Sequence, residues 1–80
     1  MKRASLRAVL ARRLRAVAAE QGVALTHVAD RAGIGRSHMW RLLNGESGAT
    51  LDVVDKLAGA LGVASVELLD DGPKRSVRSL

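Results

Sequence analysis

Eighty residues make one small domain, and the lack of cysteine excludes disulfides and thiolate metal sites as props for it. A net charge of +5 with a single aromatic residue, Trp40, leaves the core to Leu, Val, Ile and Ala, favours helix over sheet and fits a polyanionic partner. No apolar run approaches the roughly 18 residues of a membrane span, and His27 and His38 are too few for a convincing metal site, so neither metal nor cofactor is expected.

Residues 1–19 carry Lys2, Arg3, Arg7, Arg12, Arg13 and Arg15, with no acid before Glu20. A transit peptide has this composition. The alternative, a basic first helix of the domain, is the reading taken, because removing it would leave too little chain to fold. The expected organisation is a basic arm over 1–5, one domain over 6–71 and a frayed basic tail over 72–80.

Leu6, Leu10, Leu14 and Val17 recur at helical spacing, so the first helix is expected over 6–21. Ser5 caps its start, and Gly22-Val23 stops it with the usual apolar contact. A short second helix, LTHVADRA, is expected over 25–32 with Val28, Ala29 and Ala32 on one face. A third, RSHMWRLL, is expected over 36–43 and is stopped by Asn44-Gly45. After the loop ESGA, Thr50 caps a fourth helix whose stripe is Leu51, Val54, Leu57 and Leu61, with Asp52 in its first turn. Gly62 ends it. Ser65 is expected to cap a short fifth helix, VELL, making an all-α, compact five-helix domain.

The second and third helices are separated only by Gly33-Ile34-Gly35. A link that short forces a large crossing angle and close approach near the turn. It needs a small residue at the contact, a left-handed residue in the turn, and apolar inner faces. Ala29, Gly33, and the set Val28, Ala32, Ile34, Met39 and Leu42 supply these needs. This is a helix-turn-helix arrangement.

On these residues the chain resembles the lambda-repressor-like, or Xre-type, helix-turn-helix family. Val28-Ala29-Asp30, Gly33-Ile34, Met39, Leu42 and Asn44-Gly45 carry the resemblance. TLDVVDKLAGALGV and SVELL resemble the family's fourth and fifth helices, so the likeness covers about residues 6–70. The family often opens its second helix with a small capping residue and a glutamine; here Ala24 and Leu25 stand there. Leu43 replaces a frequent acid, and Gly48-Ala49 replaces a usual proline.

The resemblance implies double-stranded DNA as partner, with the third helix in the major groove. With Met39 and Leu42 inward, Ser37, Arg41 and Asn44 point outward, and Arg36 sits at the helix tip. The likeness maps Arg36, Ser37 and Arg41 onto base-reading positions, where arginine suits the O6 and N7 acceptors of guanine. Trp40 either covers the junction of the first and third helices or meets a thymine methyl or a sugar. Phosphate contacts are expected from His38, Asn44, Gly45, Ser47 and Thr50, with Lys2, Arg3, Arg12 and Arg13 adding charge.

No catalytic arrangement is present in the sequence: Ser37 and His38 are adjacent and cannot face each other on a helix. GIG lacks the preceding strand of a phosphate-cradling loop. The expected protein is a cytoplasmic, non-enzymatic, sequence-specific transcription regulator, a repressor that meets the nucleoid. With no ligand-binding domain expected, any signal would act through concentration, competition or a protein partner of unknown kind. The alternatives are an adaptor or antitoxin that binds a partner protein, or a membrane-surface role for the basic first helix. One third helix reads few base pairs, so a homodimer on an inverted repeat is expected, with reading helices roughly 34 Å apart. Val66, Leu68 and Leu69 crowd one short element and are its expected interface.

Overall fold

The computed structural model describes residues 5–70. Lys2, Arg3 and the tail 72–80 lie outside the described residues. The elements in chain order are α1 (Leu6–Gln21), α2 (Leu25–Ala32), α3 (Arg36–Leu43), α4 (Leu51–Leu61) and a 3-10 turn (Ser65–Leu68). There is no strand among the described residues.

The caps behave as side-chain chemistry dictates. The Ser5 hydroxyl accepts from the Ala8 amide at 3.2 Å, and the Thr50 hydroxyl accepts from the Val53 amide at 3.2 Å. α1, α2 and α4 each end on a left-handed glycine followed by an apolar residue. At the central turn Gly33 has φ 74°, and the next amide, Ile34, donates back to the Ala29 carbonyl at 2.9 Å. A β-carbon at Gly33 would meet no atom, but L side chains rarely adopt that backbone conformation, so the constraint is the dihedral angle rather than space.

The core joins all five elements. Leu14, Leu42, Leu57, Leu68 and Val28 are its largest fully enclosed side chains. Ala29 is wholly buried at the crossing of α2 and α3, where a larger residue would hold the helices apart. The Gln21 amide donates to the Leu61 carbonyl at 2.6 Å, tying the end of α1 to the end of α4.

Four expectations are corrected. The fifth α-helix is a single 3-10 turn, so the domain has four α-helices. Its N-cap is Ala64, not Ser65, whose hydroxyl bonds the Asp55 carboxylate instead. Four residues suffice only for i→i+3 bonding, as in Glu67 to Ala64 and Leu69 to Val66. Leu68, expected at a dimer interface, is fully buried between α1 and α4, whereas Val66 is exposed and Leu69 half-buried. The stripes of α1 and α4 also end sooner than their spacing suggests, since Leu6 and Leu51, in the first turns, stand in solvent.

Candidate nucleic-acid interface

α3 divides into two faces. Met39, Leu42 and Leu43 are buried; Arg36, Ser37, Trp40, Arg41 and Asn44 are exposed. At about 100° per residue the five exposed positions fall within an arc of about 140°. The helix therefore carries its polar groups and its ring on one side. His38, half-buried, sits at the flank of that arc. Trp40 keeps 63% of its surface in contact with solvent, so it does not close the junction of α1 and α3.

Neither α2 nor α3 has a side-chain cap; Ala24 and Gly35 occupy those places. Their first-turn amides therefore lack the oxygen that Ser5 and Thr50 give to α1 and α4. An anion is favoured at such an end by the helix dipole. Asp30 reaches across the turn to Arg36 at 3.8 Å, with both side chains largely exposed. An ion pair this open is weak and exchanges readily for another anion.

The loop after α3 is short and polar. Gly45 adopts φ 71°, and the Glu46 amide returns to the Arg41 carbonyl at 2.9 Å, which closes α3 and turns the chain toward α4. Ser47 and Thr50 follow on the same link. Arg7 of α1 lies against it: a β-carbon on Gly48 would come within 3.2 Å of the Arg7 Nε.

The cations of α1 are not equivalent. Arg15 donates to the Leu43 carbonyl at 3.4 Å and so stands beside α3. Arg13 donates to the Glu67 carbonyl at 2.9 Å and so stands beside the 3-10 turn, on the other flank of the α1 stripe. Arg12 is exposed between them. The expected phosphate contacts on α1 are Arg12 and Arg13; the cations next to α3 and its loop are Arg15 and Arg7. The apolar stripe was the available signal, since residues flanking it must lie near a neighbouring helix. The stripe alone does not say which neighbour lies on which flank.

Among the described residues no group of three or more His, Cys, Asp or Glu side chains could hold a metal ion. No described helix is long and apolar enough to cross a membrane.

Residues 9–71 match a family model described as a helix-turn-helix domain. The chain belongs to that family. A hypothetical transcription factor, NHTF, from Neisseria is 32% identical over 81% of this helix-turn-helix chain and 75% of its own, with a TM-score of 0.76. The restriction-modification controller protein C.AhdI from Aeromonas hydrophila is 27% identical, covering 78% of this chain and 94% of its own, with a TM-score of 0.73. The clp gene regulator ClgR from C. glutamicum, 24% identical over 84% of this chain and 87% of its own, shares the fold with a TM-score of 0.76. No curated protein matches the chain in sequence. The helix-turn-helix family is one of DNA-binding transcription regulators, and the expected resemblance to Xre-type regulators holds.

Proposed function

We propose that the protein is a dimeric, sequence-specific repressor that reads an inverted-repeat operator through the major groove. The observation that carries this reading is the outer face of α3. Arg36, Ser37, Trp40 and Arg41 share one exposed arc, with Met39 and Leu42 buried on the other side and Leu43 buried at its edge. A helix that served only the fold would have no reason to gather two guanidiniums, a hydroxyl and an open indole there.

The roles follow from chemistry. Arg36 and Arg41 present planar forks to guanine. Ser37 donates or accepts at a base edge. Trp40 meets a thymine methyl or a sugar at the groove wall. Asn44, Gly45, Ser47, Thr50 and His38 bond one phosphate strand, with Arg7 and Arg15 supplying charge from α1. The dimer places two α3 helices about one DNA turn apart. Its contact is built on Val66, with Leu69 beside it, and without the enclosed Leu68. Such a protein acts in the cytoplasm on the nucleoid and needs no cofactor.

Selection from random duplexes tests the reading. The expected product is an inverted repeat bound by two copies, with affinity falling steeply as salt rises, by about 0.9 in log–log slope per phosphate contact. Recovery of no preferred sequence, or binding that is flat in salt, would contradict it. The adaptor alternative predicts that result.

A further inference from the structure

We infer that the groove between α2 and α3 is a binding site for a small aromatic carboxylate. The groove is half open to solvent and has a volume of about 160 Å³, room for about one aromatic ring. Its floor and walls are Leu25, Ala29, Met39, Trp40 and Leu43, with the polar Thr26 beside them. The apolar character has a sequence cause. Leu25 stands at the position where the family resemblance leads one to expect a glutamine, and Ala29 is too small to fill the space beside it.

Two cations edge the groove, Arg15 from α1 and Arg36 from α3, and among the described residues no acid lines it. Neither guanidinium is held firmly. Among the described residues, Arg36 has the open 3.8 Å pair with Asp30 and Arg15 a long 3.4 Å bond to the Leu43 carbonyl. A carboxylate accepts two parallel N–H bonds from an arginine fork and displaces such contacts. Trp40, with most of its surface open, offers its ring to a second aromatic group. One ring fits the volume and one carboxylate fits the rim, so the ligand class is a single-ring aromatic monoanion.

The site would serve as an off-switch. Arg36 and Trp40 belong both to the groove and to the proposed DNA-reading arc, so a bound ligand and an operator exclude each other. This consequence rests on the proposed DNA reading; the binding itself does not. It would give the helix-turn-helix domain an effector response of its own.

Titration of the full-length protein with sodium benzoate at constant ionic strength tests both steps. Trp40 is the only indole in the chain, so its emission reports the shared edge of groove and arc, and the amide shifts locate the ligand. Benzoate is expected to saturate with a dissociation constant on the order of 1 mM. The amide shifts should centre on Leu25, Ala29 and Met39. Benzamide should bind more weakly, and acetate should leave these signals unmoved. Arg36→Gln should weaken benzoate about threefold and leave benzamide unchanged, which also shows that the groove is intact. No saturation, scattered shifts, or equal responses to benzoate and benzamide would overturn the site. A selected duplex should then be released by benzoate and not by acetate at equal ionic strength. Saturable benzoate binding with undiminished duplex affinity would uphold the site and overturn the proposed DNA face instead.

Discussion

α1 and α3 are both basic, amphipathic helices, and they use their charge differently. α1 has 16 residues and buries six of them; its arginines are spread around the axis, toward α3, toward solvent and toward the 3-10 turn. α3 has 8 residues and buries three; its arginines, its serine and its tryptophan share one arc. Counting cations would place the interface on α1. On the proposed reading their arrangement favours α3, with Arg7 and Arg15 of α1 beside it. For a helix at a surface, clustering on one face is more informative than net charge, because scattered charges serve solubility equally well.

The sharpest separation is between the inner and outer faces of short elements. Leu42→Ala and Leu68→Ala each remove a fully buried side chain and should cost about 2–5 kcal/mol of stability, read by denaturant unfolding. For a domain this small either loss brings unfolding close. A Leu68→Ala protein with unchanged stability would return that residue to the surface and restore its interface role.

Arg41→Ala should leave stability within about 0.5 kcal/mol. It should relax base choice at one position per half-site by about 1–3 kcal/mol, measured on single-substituted operators. Unchanged preference at every position would remove Arg41 from the reading set.

Next in size is the dimer. Val66 is 65% exposed, so Val66→Glu should leave the fold intact and shift sedimentation toward monomer. A dimer that persists unchanged would lie elsewhere, and the groove edged by Leu6, Leu51 and Leu69 is the next surface to vary.

The smallest effect separates the two flanks of α1. Arg15→Ala should lower the salt slope of duplex binding by about 0.9, whereas Arg13→Ala should lower it by far less. Equal slopes for the two variants would erase the distinction between the flanks.

Most of this fold was legible because the chain is strongly punctuated. Ser5, Gly22, Gly33, Asn44-Gly45, Thr50 and Gly62 delimit the four helices where the structure has them. The outer face of α3 was legible too, since Met39 and Leu42 define the inner one. The short element at 65–68 was not. Periodicity groups Val66 with Leu69 and sets Leu68 apart, but a single turn does not reveal which group faces inward. That is decided by the space between α1 and α4, which Leu68 fills. The same limit hid Arg15, whose place beside α3 depends on how α1 is rotated in the core. The Asp30–Arg36 pair was hidden because it spans the turn rather than one helical repeat.

On the proposed reading, one arc of α3 meets DNA. Amide-shift mapping of the labelled protein on its selected duplex tests it most directly. The largest shifts are expected on Arg36 to Asn44 and on the loop Gly45 to Thr50, with smaller ones at the start of α2. Shifts centred on the 3-10 turn, or spread evenly around α1, would contradict it.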